Sequence, residues 1–244
     1  MSKELNAKLI AVATTVSENW KELNHYEWDK ELKKIEELFT QGASADHLVE
    51  GVTALEYALR FKPRVLELFA KNSADINARD ENGETVLHKA TTAGAAVSAQ
   101  VLISFGADVR VANNERKTPI HYSTGNRDTD MFLGLMWKGC DSEVLDMCDE
   151  YGFAALHYVA QNGNSAVMKE LLNAGCEVEV CDLYDRTALH HVALNNNFDG
   201  IGILMEGGID PNLEDQFGKT ALQYAAENGF GEIVNQIISE TIVW

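Results

Sequence analysis

Ala154-Ala-Leu-His-Tyr-Val159 and Thr187-Ala-Leu-His-His-Val192 are one phrase written twice, 33 residues apart. It recurs at Thr53-Ala-Leu-Glu-Tyr-Ala58, Thr85-Val-Leu-His-Lys-Ala90, Thr118-Pro-Ile-His-Tyr-Ser123 and Thr220-Ala-Leu-Gln-Tyr-Ala225, giving spacings of 32, 33, 36, 33 and 33. A second motif keeps step: Ser73-Ala-Asp-Ile-Asn77, Gly106-Ala-Asp108, Gly175-Cys-Glu177 and Gly208-Ile-Asp-Pro-Asn212. Seven residues beyond each of these turns comes Asp80, Asn113, Asp182 or Asp215. Such a period marks a stacked-repeat architecture. Inside one unit the threonine stands where a turn enters a helix, and its hydroxyl can cap free N–H groups. Leu156, Val159 and Ala160, then Val167, Met168, Leu171 and Leu172, recur at helical spacing. Gly163 and Gly175 suit chain reversals that need a left-handed backbone. One such helix pair cannot bury its apolar face alone, whereas stacked copies can.

These residues resemble the ankyrin repeat, from about residue 30 to the end. Tetratricopeptide repeats have a similar period, but their Trp/Gly/Tyr/Pro pattern is missing. The fold class implied is all-α: an ankyrin-repeat solenoid of stacked helix-turn-helix units with hairpin fingers. Residues 1–47 read as a divergent N-terminal capping repeat, with Leu5, Leu9, Val12, Val16 and Trp20 on one helical face and Trp28, Leu32, Ile35 and Phe39 on another. The repeats then fall at 48–79, 80–112, 113–148, 149–181, 182–214 and 215–244, as one continuous domain. The terminal Ile242-Val-Trp244 is apolar for a cap and is expected to fold back over the last helix, or else to touch a partner or a truncated continuation of the chain. The third repeat departs most: Arg116 and Arg127 replace glycines, and Gly125 and Gly134 sit in or beside its helices, so it is expected to be the least stable.

Of 244 residues, 38 are acidic and 20 basic, a net charge of −18. Residues 1–138 carry a net −3, and residues 139–244 carry −15, with only Lys169, Arg186 and Lys219 as cations. This balance argues against direct binding of nucleic acid or anionic lipid, which needs Lys and Arg against phosphate. No apolar run approaches the roughly 18–20 residues of a membrane span, and Leu9–Val16 reads as a helix face rather than a secretory signal.

Four cysteines make no disulfide framework. Cys140 and Cys176 take the small position after a turn glycine. Cys148 and Cys181 stand a repeat apart, beyond the roughly 7 Å between Cα atoms that a disulfide allows. A reduced intracellular protein is implied, cytoplasmic or nuclear, or in a host cytosol if it serves a pathogen. Stabilising a thiolate needs nearby cations, which this half lacks. His88, His121, His157 and His190 form a ladder. Its rungs lie a packing distance apart, too far to share a zinc ion. The resemblance implies that these histidines tie down neighbouring turns. No catalytic, cofactor or metal residue is assigned, and the chain is read as no enzyme.

The resemblance implies binding of a protein partner through the fingers and the concave first helices. The early finger tips are polar: Glu81, Asn82 and Glu84, then Asn114, Glu115 and Lys117. The later ones carry Glu150, Tyr151 and Phe153; Leu183, Tyr184 and Arg186; and Phe217. Asp149, Asp182 and Asp215 add acidity to those fingers. Aromatics beside acids suit a hot-spot surface with an electrostatic rim for a basic or amphipathic segment. The 36-residue spacing inserts three residues, so Asp141-Ser-Glu-Val-Leu-Asp-Met-Cys148 is expected to protrude or bulge, offering Asp141, Glu143 and Leu145. Losing three residues there should spare folding. Arg60 and Phe61, Gln161 and Asn162, Leu194 and Asn195, and Glu227 and Asn228 are expected on the concave face, in line with Asn126, and Trp137 on the convex one. Asn77 and Asn212 resemble asparaginyl hydroxylation sites of the family. The chain is expected to be a monomeric protein-interaction scaffold. A regulator or effector acting on an enzyme, the ankyrin portion of a longer protein, and, remotely, a small-ligand receptor or enzyme are the alternatives.

Overall fold

In the computed structural model, residues 2–19, 24–49, 52–125, 129–136 and 140–242 are described. Trp20, Asn126, Arg127, Trp137 and Trp244, to which the sequence assigns places, lie outside them. The chain divides into two compact units, 1–108 and 109–244.

The first unit opens with α1 (Ser2–Glu18) and α2 (His25–Thr40), which pack together. Leu9, Ala13 and Val16 are buried on one, and Ile35, Leu38 and Phe39 on the other, as helical spacing dictates. Asn24 opens α2 with a capping box: its Oδ1 accepts the Glu27 N–H, while its own N–H reaches the Glu27 carboxylate. Next come a hairpin, β1 (Leu48–Val49) with β2 (Val52–Thr53), then α3 (Ala54–Tyr57), a single 3-10 turn, and α4 (Pro63–Lys71). The unit closes with α5 (Val86–Thr92) and α6 (Ala96–Ser104). Phe69 of α4 joins cap to repeat, meeting Phe39 edge-on at 5.3 Å and Phe61 at 6.0 Å. Phe61 is therefore buried, which corrects its place on the concave face.

The second unit repeats α7 (Pro119–Ser123) with α8 (Thr129–Met136), a short α9 (Ser142–Leu145), α10 (Ala155–Asn162) with α11 (Ser165–Asn173), α12 (Ala188–Leu194) with α13 (Phe198–Glu206), and α14 (Ala221–Glu227) with α15 (Gly231–Ile242). First helices stack on first helices, α10 on α12 and α12 on α14, and second helices on second, α11 on α13 and α13 on α15. Leu156, Val159, Val167, Met168, Leu189, Val192, Ile201 and Leu204 fill the layers between them. The α7 helix is only five residues long, in the repeat that departs most from the pattern. In its finger, Arg116 adopts φ 61°, the left-handed region that Gly83, Gly152 and Gly218 take in three other fingers and that Asp185 takes at φ 58° in another.

The inserted segment does not protrude. It folds into α9, capped by the Asp141 carboxylate on the Val144 N–H, and buries Val144 and Leu145 fully. Two apolar side chains on one face of a single turn gain more by entering the core than by staying in water.

Candidate protein-interaction surface

Of the four fingers of the second unit, the first turns on Asn113, whose Oδ1 accepts the N–H groups of Glu115 and Lys117, and the other three are each built around one aspartate. Oδ1 of Asp149 accepts the N–H groups of Tyr151 and Phe153 at 2.8 and 2.9 Å. Oδ1 of Asp182 accepts those of Tyr184 and Arg186 at 2.8 and 3.1 Å, and Oδ1 of Asp215 those of Phe217 and Lys219 at 2.9 and 3.0 Å. The other oxygen is also used. Tyr158 donates its hydroxyl to Asp149 at 2.6 Å, His191 its Nε2–H to Asp182 at 3.0 Å, and Tyr224 its hydroxyl to Asp215 at 2.5 Å. All three aspartates are buried. They fix the turns, and this corrects the reading of Asp182 as a partner contact and of all three as surface acidity. Burial pushes the Asp182 carboxyl upward, but the Arg186 guanidinium and the two backbone donors outweigh it and hold it below the usual range.

The histidines tie finger to finger. In His121, His157 and His190, Nδ1 accepts a backbone N–H three residues earlier, at 3.0 to 3.1 Å. The proton therefore sits on Nε2, which donates to Phe153 O, Arg186 O and Lys219 O respectively, at 3.0 to 3.1 Å. Burial lowers the pKa of all three and keeps the rings neutral. The threonine hydroxyl sits 2.9 to 3.0 Å from Nδ1 in Thr118 and Thr187. Backbone bonds add a second lacing: Glu150 N to Glu115 O, Leu183 N to Tyr151 O, and Gln216 N to Tyr184 O.

With the turns so fixed, the residues just after each aspartate face solvent. Tyr151 is 56% exposed, Leu183 66%, Tyr184 48% and Phe217 65%. The last two of these lacing bonds join the consecutive fingers that carry the four side chains, beside the exposed acids Glu150, Asp185 and Glu214. The nearby cations are already engaged. Arg186 pairs with Asp182 and lies 4.7 Å over the Tyr184 ring, and Lys219 pairs with Glu227 at 2.7 Å. The face is thus acidic with apolar knobs.

Other expected contacts land elsewhere. Phe153 is half-buried, stacked on His157 at 5.5 Å and edge-on to His191 at 5.0 Å, so it belongs to the packing rather than to the tip. Leu145 is buried in α9. Arg186 is a strut within its finger. Asp141 and Glu143 are exposed at α9, and Asp141 is ion-paired to Arg110. Asn162 donates to Thr124 O, and Asn195 and Asn228 each donate to the carbonyl four residues back on their own helix. Asn77 spans a repeat, bonding Gly106 O and the Asp108 N–H, while Asn212 turns back to Asp210.

Sequence reasoning missed the residue nine positions after each turn aspartate: Tyr158, His191 and Tyr224. The fixed offset is legible, but the chemical type varies. It also missed Asp146 and Glu179, which accept the N–H groups of Glu177 and Asp210 one repeat on. Among the described residues no group of three or more His, Cys, Asp or Glu is placed to hold a metal. All four cysteines are free. Burial, then neighbouring acids, raise their thiol pKa values, those of Cys140 and Cys176 to about 12. Such thiols are poor nucleophiles near neutral pH. No helix among the described residues is long and apolar enough to cross a membrane.

The layers, the fingers and their lacing define an ankyrin-repeat solenoid, and ankyrin repeats as a class are protein–protein interaction modules. A family profile described as ankyrin repeats (3 copies) matches residues 55–146, 126–215 and 156–243, so the chain belongs to the ankyrin repeat family. It is similar in structure to an ankyrin repeat domain from Acinetobacter baumannii AYE, with a TM-score of 0.70 and 28% identity over 77% of this chain and 97% of that one. In sequence it is similar to human transient receptor potential cation channel subfamily A member 1, 28% identical over 39% of this chain. It is also similar to human BCL-6 corepressor-like protein 1, 32% identical over 37% of it. The chain spans only 9% and 5% of the length of those relatives.

Proposed function

We propose that the chain is a non-enzymatic scaffold whose second unit holds a basic or amphipathic segment of a partner protein. The observation that carries this is the run of Tyr151, Leu183, Tyr184 and Phe217 on laced fingers, exposed and flanked by acids with no free cation among them. Large exposed aromatics on a rigid base lose little entropy on binding and make efficient anchors. The surrounding charge speeds encounter with a basic partner and rejects an acidic one. The scaffold acts as a monomer, in a reducing compartment that suits four free thiols.

A photoreactive residue at Phe217, in full-length chain added to a lysate of the native cells, should cross-link peptides of net positive charge. The double variant Tyr151→Ala/Tyr184→Ala should keep its helical signal and weaken the captured partner by about tenfold or more, the scale of losing one or two hot-spot side chains. Charge reversal at exposed positions, Glu150→Lys with Asp185→Lys, should lower the on-rate and its salt dependence. Unchanged affinity in both variants would sink the reading.

A further inference from the structure

Consecutive repeats of the second unit are joined by one recurring set of groups. A histidine Nε2–H donates to the carbonyl that closes the next finger, His157 to Arg186 and His190 to Lys219. The carbonyls of Tyr151 and Tyr184 accept the N–H groups of Leu183 and Gln216. In each receiving finger the two groups used stand three residues apart, Leu183 N with Arg186 O and Gln216 N with Lys219 O. Beneath them Leu156, Ala160, Leu189 and Ala193 are buried, as are Ile201 and Met205 of α13. The last repeat keeps the sending half of this set. Gln223 stands at the histidine position, and its Oε1 accepts the Thr220 N–H at 2.8 Å, as the His190 Nδ1 accepts that of Thr187. Its Nε2 is thereby left as a donor in place of the ring N–H. The Phe217 carbonyl stands where that of Tyr184 does one repeat earlier, and it receives no bond from a described residue. Ala226 and Ile238, the counterparts of Ala193 and Met205, are exposed, and Leu222 and Val234 are only half-buried. Positions buried inside the array and open at its end are those that a following repeat covers. A terminal repeat that serves only as a cap presents a polar outer face, whereas this one is apolar at all four positions.

We propose that the tip of a basic β-hairpin from a partner protein docks on this end as one more finger, giving a backbone N–H to the Phe217 carbonyl and a carbonyl, from the same turn, to the Gln223 amide. The three-residue spacing calls for a turn, since residues that far apart in an extended strand face opposite ways. The last finger is itself strand-like, with Glu214 bridged to Thr220 and the Asp215 N–H on Lys219 O at 2.9 Å. It offers an edge of the kind that pairs with an incoming chain. The partner's charge follows from the rim, where Glu214 and Glu227 are exposed and the neighbouring Lys219 is held by Glu227. A second copy would bring its own net charge of −18 against that rim. The inference deepens the reading of the aromatic fingers and rests on it for the partner's basic charge, while the docking edge rests on the stacking groups alone.

The probe is a backbone-cyclised peptide of residues 110–119, whose turn is set in this chain by Asn113 and which carries Arg110, Arg116 and Lys117 against Glu115. Titrated into the full chain, it should shift the Gln223 side-chain NH2 and the Phe217 carbonyl carbon in NMR spectra, with smaller shifts at Leu222 and Ala226. Gln223→His, which restores the donor of the other repeats, should bind it within about twofold of the parent. Gln223→Glu keeps the helix cap on Thr220 but turns the donor into an acceptor, and should weaken binding about tenfold, the scale of one lost hydrogen bond. The variant Tyr151→Ala/Tyr184→Ala should bind the hairpin as the parent does. If that variant loses its lysate partner while Gln223→Glu leaves the hairpin titration unchanged, this proposal falls and the reading of the fingers stands. Absence of any shift at Gln223 would overturn it too. So would binding that appears only once residues 243 and 244 are removed, which would assign the edge to the chain's own tail. Self-association of the parent that is lost in Gln223→Glu would assign it to a second copy and overturn it equally.

Discussion

His191 shows how one side chain can carry pH sensitivity for a whole repeat. Its Nε2–H meets Asp182 at 3.0 Å in a buried site, and burial, helped by the neighbouring His157, lowers its pKa from 6.5 to about 4. The unfolded chain therefore binds that proton more readily than the folded one. The stabilisation is complete above pH 6.5 and drains away as the pH falls toward about 4. Tyr158 and Tyr224 do the same structural work without titrating in that range. His191→Tyr should keep the bond to Asp182, and its advantage over the parent should grow as pH falls from 6.5, by up to about 3 kcal/mol at pH 4. Urea melts at pH 7, 5.5 and 4 read this directly, and a constant difference would refute it. Gly152 makes a second case. It holds φ 78°, and a Cβ there would lie 2.7 Å from Leu183 N and 3.0 Å from the Asp182 carbonyl carbon. Gly218 has a similar φ of 73°, but a Cβ there meets only the Glu214 carboxylate, at 3.9 Å. Gly152→Ala should thus cost at least about 1 kcal/mol more than Gly218→Ala, the excess being the clash between fingers. Equal costs in denaturant melts would mean that the fingers yield.

Among the elements, α9 is where sequence and structure part most clearly. Counting from turn to turn gave three surplus residues, and the surplus is real. What spacing could not show is the direction in which Val144 and Leu145 point, because four residues are too few for a period to register. Leu145→Ala should cost about 2–5 kcal/mol, as deletion at a well-packed core site does. A cost below about 0.5 kcal/mol, usual for a surface position, would mean that the segment stands free. The longer elements were readable because their apolar residues repeat every three or four positions. For the same reason the fingers were located correctly, while the roles of their residues were not. Asp182 reads as a surface charge in isolation, and its burial depends on donors at Tyr184, Arg186 and His191, of which only the two backbone groups follow from turn chemistry. The exposure of Tyr151, Tyr184 and Phe217 was legible from their place beside the turn.

For the whole molecule, the uneven charge matters more than its sum. Residues 139–244 carry −15, and two of their three cations are taken up in local pairs, Arg186 with Asp182 and Lys219 with Glu227. Repulsion within a compact acidic unit opposes folding. Raising the salt from about 50 mM to about 0.5 M shortens the screening length several-fold and should raise the melting temperature. An unchanged or lower melting temperature would show that the local pairs outweigh the net repulsion.

The histidine ties also have a direction. His121, His157 and His190 each donate to a carbonyl made about 30 residues later in the chain, Phe153, Arg186 and Lys219. On a ribosome, a finished repeat therefore waits with one buried-to-be donor unanswered until the next has emerged. Each arrival closes the work of its predecessor and opens its own. Growth from the N-terminal side thus runs as a ratchet, every step sealed by the one after. Removing a repeat at the C-terminal side strands a ring N–H in a half-made interior, whereas removing one at the other side strands only a carbonyl.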